Sequence, residues 1–111
     1  MENLEIVTKI FKGLSDITRL RIYLLLMQRK LCVCELTCIL NMKQSRISHS
    51  LRVLKEAGLV NNQKDGKWMV YSINKIIINN EIIQGLKKDL KLLPQDTINL
   101  EKCKKENIRG K

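Results

Sequence analysis

Apolar residues recur at helical spacing along most of this chain, and the pattern predicts a mainly α-helical domain with a small β-hairpin. Ser15 or Asp16 is expected to cap the second helix, which is so densely apolar that most of it should be buried. A turn at residues 41–43 separates the third helix from the fourth, a spacing typical of a helix-turn-helix. The predicted helices cover residues 4–14, 17–27, 34–40 and 44–57.

Two strand-like runs, residues 59–63 and 68–73, follow the fourth helix. They flank Asp65-Gly66, a dipeptide typical of tight hairpin turns because both of its residues can take positive φ. We therefore expect a β-wing that carries Lys64 and Lys67 at its tip. Both lysines are placed to contact phosphates, which adds affinity without specifying a base sequence.

The length of 111 residues allows one hydrophobic core, so a single domain is expected over residues 1–111. After the wing, the pattern predicts helical segments over residues 80–91 and 97–107, with a bend at residues 92–94. The acidic N-terminus does not resemble a signal peptide, and no apolar run approaches the roughly twenty residues of a membrane span. We expect a cytoplasmic protein without a membrane partner, whose cysteines are reduced rather than paired in disulfides.

The charge of the chain favours a nucleic-acid partner, because 21 Lys and Arg against 11 Asp and Glu give a formal net charge of +10. In the fourth helix, an inward apolar stripe leaves polar side chains on the opposite face. Short polar groups near a helix start can reach base edges, where Arg pairs with guanine and Gln with adenine. An ordinary solvated face is the alternative. The predicted DNA-binding residues are Gln44, Ser45, Arg46, Ser48, His49, Arg52, Lys64 and Lys67.

Cysteines cluster directly ahead of this helix, at Cys32, Cys34 and Cys38. Helical spacing places Cys34 and Cys38 together, on the side away from the apolar stripe, so we expect these thiols to avoid the core. Thiolates are ligands for soft metals. The competing interpretation is that they are small buried residues without chemistry.

Four segments together resemble the ArsR/SmtB family of winged-helix metal-sensing repressors. They are residues 14–22, with Ile17 where proline is usual; the thiolate box, residues 31–36; the recognition helix, residues 44–60; and the wing, residues 66–71. The resemblance implies a winged helix-turn-helix homodimer whose first and C-terminal helices form the interface. It also implies a repressor that binds double-stranded operator DNA without a cofactor and leaves it when metal occupies the thiolate box.

Three sulfurs without a nearby His suit arsenic(III) or antimony(III) as inducer and disfavour zinc. The third ligand departs from related arsenic sensors, which often carry it where this chain has Thr37. Cys38 is the expected third thiolate because it lies one helical turn from Cys34, and Cys103 is the alternative.

Other functions compatible with these residues are a repressor of the same fold that senses cadmium or lead, or one that senses thiol oxidation. A small thiol oxidoreductase is a distant alternative, because the chain lacks the Cys-x-x-Cys motif of such enzymes. No enzymatic activity is therefore expected.

Overall fold

A computed structural model describes residues 4–104 and confirms a mainly helical fold with a winged hairpin. In that range, no helix is long and apolar enough to cross a membrane. The elements in chain order are α1 (Leu4–Gly13), α2 (Ile17–Gln28), β1 (Leu31–Cys32), α3 (Val33–Leu40), α4 (Gln44–Glu56), β2 (Val60–Asp65), β3 (Trp68–Ile73), α5 (Glu81–Asp89) and α6 (Pro94–Lys102).

Asn41 lies in the turn between α3 and α4, which together form the helix-turn-helix, and its left-handed conformation (φ 53°) ends α3. Asn tolerates this conformation better than most residues other than glycine, so the turn is encoded locally. Asp16 caps α2 as expected, because its carboxylate accepts a hydrogen bond from the Arg19 N–H at 3.0 Å. Lys43 occupies the N-cap of α4 without a side-chain hydrogen bond.

The wing belongs to a three-stranded antiparallel sheet with the order β1-β3-β2. The pairing of Asp65 with Trp68 leaves Gly66 and Lys67 as the two turn residues, and Gly66 alone takes positive φ, at 62°. The expectation that Asp65 and Gly66 both do so was wrong, because the register lies one residue further along. Glycine at the first turn position is the pattern of a type II′ hairpin.

The sequence pattern did not predict β1, since two residues are too short to show an alternation. This strand continues the sheet, because Leu31 pairs with Tyr71 and Cys32 with Val70. The first cysteine of the thiol segment is therefore joined by its backbone to a strand of the wing.

One core fills the space between α1, α2, α3, α4 and the sheet. The expected burial of α2 holds for its second half, where the residues from Ile22 to Leu26 are all buried, whereas Ile17 at its start is 66% exposed. Fully buried apolar side chains include Ile10, Ile22, Leu25, Leu31, Leu36, Ile47, Leu51, Leu54, Leu59 and Ile83.

The C-terminal helix α6 lies against α2 and α3 through polar contacts. It begins at Pro94, earlier than the predicted residue 97, because proline suits the first turn of a helix. Buried Asp96 accepts two hydrogen bonds from the Arg21 guanidinium, at 2.8 and 3.0 Å. Asn99 Nδ2 donates to the carbonyl of Ile39 in α3 at 2.9 Å. Residues 105–107 of the predicted segment lie outside the described residues.

Gly13 lies at the end of α1, where this helix packs closely against Ala57 and Leu59, between α4 and β2. A Cβ at this position would lie 2.6 Å from Leu59 Cδ1 and 3.2 Å from Ala57 Cβ, and Leu59 is fully buried. We predict that Gly13→Ala lowers the free energy of unfolding by about 1–3 kcal/mol, measured by urea denaturation.

The matched control is Gly85→Ala in α5, where a Cβ would meet nothing within 4 Å. This change should leave the protein as stable or raise the free energy of unfolding by up to about 1 kcal/mol, because alanine favours the helix. Equal destabilisation by both substitutions would contradict the close approach at Gly13.

Candidate nucleic-acid interface and thiol site

The outer face of α4 carries most of the predicted DNA-binding side chains. Its inward positions Ile47, Leu51 and Leu54 are completely buried, which turns the intervening positions outward. This orientation follows directly from the apolar spacing of the sequence. The predicted DNA-binding side chains on this helix, all of them exposed, are those of Gln44, Ser45, Arg46, Ser48, His49 and Arg52.

Two of these side chains have partners that the sequence did not indicate. Arg46 Nη2 donates to the hydroxyl of Thr18 at 2.9 Å, and Thr18 is a buried residue of α2. Arg46 therefore fixes the start of α4 on α2. Arg52 Nη2 lies 2.8 Å from His49 Nδ1, so these two side chains are oriented together on the surface.

The wing presents both predicted lysines to solvent, at the end of β2 and in the turn. The Lys67 ammonium lies 5.8 Å from the centre of the Trp68 ring, within the range of a cation–π contact. Lys64 faces Met69 across the hairpin. The two-residue turn therefore fixes the positions of Lys64 and Lys67 at the tip of the wing.

Cys32 is the N-cap of α3 and Cys34 lies in its first turn, so the two cysteines are neighbours at the start of this helix. Cys32 is only 1 % exposed and lies in the core, whereas Cys34 is half-buried. Burial in β1 explains the difference, since β1 is covered on both sides. That burial, together with the neighbouring Cys34 thiol and Glu35 carboxylate, raises the pKa of Cys32 to about 12. The expectation of thiols outside the core concerned Cys34 and Cys38, and Cys38 is exposed.

Cys38 and Cys103 form a second sulfur pair, joined as a disulfide between α3 and the end of α6 with a Cα–Cα distance of 5.8 Å. This pairing departs from the expectation of reduced cysteines. Helix α6 docks on α3 and so brings together two residues 65 positions apart, which helical spacing alone could not indicate. Within residues 4–104, no group of three or more Cys, His, Asp or Glu side chains is assembled as a metal site.

A buried carboxylate connects the backbone of Cys32, through Arg29, to helix α6. Glu35 is 1 % exposed, and its Oε1 accepts a hydrogen bond from the Cys32 N–H at 2.9 Å. Its Oε2 pairs with Arg29 Nη1, also at 2.9 Å. Arg29 Nη2 donates to the carbonyl of Leu100 in α6 at 2.9 Å. The one sequence signal for this arrangement is a Glu three residues after the N-cap, as in a capping box.

Because Cys32 is buried and Cys34 is only half-buried, we predict that the two thiols react with an alkylating reagent at different rates. In the reduced protein at pH 7, iodoacetamide should alkylate Cys34 well before Cys32, because Cys32 is shielded and its thiolate is scarce. Below a raised pKa, the thiolate fraction grows about tenfold per pH unit, so Cys32 alkylation should accelerate between pH 7 and pH 9. Peptide mass spectrometry measures both rates, and the urea-unfolded protein is the control. Equal rates in the folded protein at pH 7 would refute the assignment.

Comparison with known proteins identifies the family. Residues 16–62 match the bacterial regulatory protein, arsR family. The arsenical resistance operon repressor of Bacillus subtilis (strain 168) is 39% identical over 77 residues, which cover 68% of this chain and 73% of that protein. A cadmium resistance transcriptional regulatory protein, the CadC homolog of Staphylococcus aureus, is 42% identical over 69 residues. That match covers 61% of this chain but little more than half, 57%, of the regulator.

The fold agrees with this similarity. The structure of reduced HlyU from Vibrio cholerae N16961 superimposes with a TM-score of 0.67 and 26% sequence identity, over 78% of this chain and 90% of that one. Residues 16–62, which match the family, include the helix-turn-helix with the exposed polar face of α4. They also include the start of the wing. This chain belongs to the arsR family of bacterial transcriptional regulators.

Proposed function

We propose that this protein is a transcriptional repressor that binds operator DNA when metal-free and is released when arsenic(III) or antimony(III) binds its cysteine thiolates. The observation that carries the proposal is the Cys32–Cys34 thiol pair at the start of α3, the helix directly ahead of α4. Family membership supports a DNA-binding role, and its relatives include regulators of arsenic and of cadmium resistance.

DNA binding is assigned to the exposed face of α4 and to the wing. Ser48, His49 and Arg52 would face the major groove, with Gln44 and Ser45 at the helix start, while Lys64 and Lys67 contact phosphates. Arg46 is assigned two roles, one structural and one in DNA binding. Its bond to Thr18 holds the helix in place, and its remaining donors are available to a phosphate.

We propose a homodimer, because one recognition helix reads only one half-site and an operator with two half-sites needs two copies of the chain. The apolar outer side of α1 supports this, since Leu4 is 87% and Phe11 60% exposed in the single chain. Leu93 and Ile98 near the start of α6 are also about half exposed. We assign these surfaces of α1 and the C-terminal helices to the dimer interface.

The neighbouring thiols of this structure supply part of the ligand set that a soft ion such as arsenic(III) requires. Cys32 and Cys34 supply two neighbouring sulfurs, and arsenic(III) needs a third. Cys38 is the proposed third ligand, and Cys103 is the alternative. Either one becomes available only after the bond between them is reduced, so the proposed inducer site exists in the reduced protein. No cofactor is proposed for DNA binding itself.

Release is proposed to act through the first turn of α3. Bringing a third sulfur to Cys32 and Cys34 shifts the helix start, which the Glu35 carboxylate holds at the Cys32 N–H. Because α3 packs on α4, the shift alters how the recognition helix is supported. A coupling of about 1–3 kcal/mol would change operator affinity by about one to two orders of magnitude.

Thiol oxidation is a second candidate, favoured by the pairing of Cys38 with Cys103. Two thiols would give two electrons and two protons to a low-molecular-weight disulfide, which leaves as two thiols. The bond formed would fasten α6 to α3 and change the support of α4 from the opposite side. Operator binding under controlled thiol–disulfide ratios, without metal, separates this candidate from metal sensing.

The DNA-binding assignment predicts different losses for two basic residues. Arg52→Ala should weaken specific binding by about 1–3 kcal/mol, because it removes a bidentate base contact. Lys64→Ala should weaken binding to all sequences alike and reduce the salt dependence, because it removes a phosphate contact. Fluorescence anisotropy with specific and random duplexes measures both. Equal losses on the two duplexes for Arg52→Ala would make Arg52 a phosphate contact.

The proposed ligand set predicts the sulfur count around bound arsenic. X-ray absorption of the reduced protein with arsenite should show three sulfurs for the wild type and for Cys103→Ser, and two for Cys38→Ser. The two variants are matched, because each removes one partner of the same disulfide. Three sulfurs in Cys38→Ser with two in Cys103→Ser would assign Cys103 as the third ligand.

A further inference from the structure

A continuous chain of hydrogen bonds leads from the Cys32 backbone to α6. It runs from the Cys32 N–H to one oxygen of Glu35, from the other oxygen to Arg29, and from Arg29 to the Leu100 carbonyl. Each of these three contacts is 2.9 Å long. The chain therefore joins the thiol segment, the end of α2 and the last turn of α6.

Each member of this chain depends on the next for physical reasons. Glu35 is 1 % exposed, and a buried carboxylate is costly unless it is paired and hydrogen-bonded. Arg29 is only partly buried, so the Glu35 carboxylate fixes the direction of its planar guanidinium. The carbonyl of Leu100 lies in the last turn of α6, where carbonyls lack partners within the helix and favour a cation.

We propose that Arg29 and Glu35 are positioning residues that couple the docking of α6 to the backbone position of Cys32. If Cys32 moves toward a bound ion, Glu35 loses the N–H that it accepts from, and Arg29 loses the carboxylate that orients it. The Leu100 carbonyl then loses its cap, and α6 loosens. The metal-dependent half of this inference rests on the proposed function, whereas the coupling itself does not.

A second anchor of α6 provides a matched control. Arg21 pairs with buried Asp96 at the beginning of the same helix, and its guanidinium donates to both oxygens of this carboxylate rather than to the thiol segment. Removing this pair should loosen α6 without affecting Cys32. An effect specific to the Arg29–Glu35 pair can therefore be separated from a general weakening of α6.

The test is amide hydrogen exchange by NMR on the full-length protein, reduced with a phosphine. Arg29→Lys keeps the charge beside Glu35 but loses the planar fork, and Glu35→Gln keeps an acceptor for Cys32 but loses the ion pair. Both should raise exchange in α6 about tenfold, the loss expected for one charge-assisted hydrogen bond. The Cys32 amide should stay protected. Wild-type exchange rates in α6 for both variants would overturn the inference.

Sodium arsenite is the probe for the metal-dependent half, with the ultraviolet arsenic–thiolate absorption as the measure of binding. In the wild type and in Arg21→Gln, arsenite should raise exchange in α6 further, by about tenfold. In Arg29→Lys, arsenite should bind but raise this exchange less than about twofold, because the connection is already broken. A purely structural role of Arg29 would leave the arsenite response intact and would refute the coupling.

The failure of the proposed function is recognised separately. If the wild type shows no arsenic–thiolate absorption, arsenic binding at these cysteines fails. The exchange rates of Glu35→Gln and Arg29→Lys without metal then decide the inference. Arsenite that binds to the wild type without changing exchange in α6 would overturn it.

Discussion

The buried carboxylate of Glu35 is the constraint on which the arrangement of the thiol segment depends. A carboxylate that is 1 % exposed needs partners for both of its oxygens, and it finds them in the Cys32 N–H and in Arg29. These contacts fix where α3 begins and which way Arg29 points. They also hold the backbone of Cys32 at the point where β1 passes into α3.

Helix α3 occupies a central position because it packs against both α4 and α6. Its two sulfur pairs differ in kind. Cys32 and Cys34 are local neighbours within one turn, whereas Cys38 meets Cys103 only because α6 folds back onto α3. A chemical change at either pair therefore acts on the same helix. The two proposed signals, metal binding and thiol oxidation, would therefore both act through α3.

Features set by local spacing could be predicted from the sequence. The apolar stripe of Ile47, Leu51 and Leu54 fixed the exposed face of α4, and Asp16 was recognisable as a cap. The hairpin was expected, but its turn lay one residue later, because register depends on pairing between strands. Contacts between distant residues were missed, such as Arg21 with Asp96, since no local pattern records them.

The most direct test of this account is operator affinity with and without arsenite, in the strictly reduced wild-type protein. The operator is the duplex that the metal-free protein selects from random DNA, and fluorescence anisotropy measures binding. The account predicts that arsenite lowers the affinity by about ten- to a hundredfold, while Cys34→Ser stays bound. Unchanged affinity of the wild type at saturating arsenite would contradict release through the thiolates.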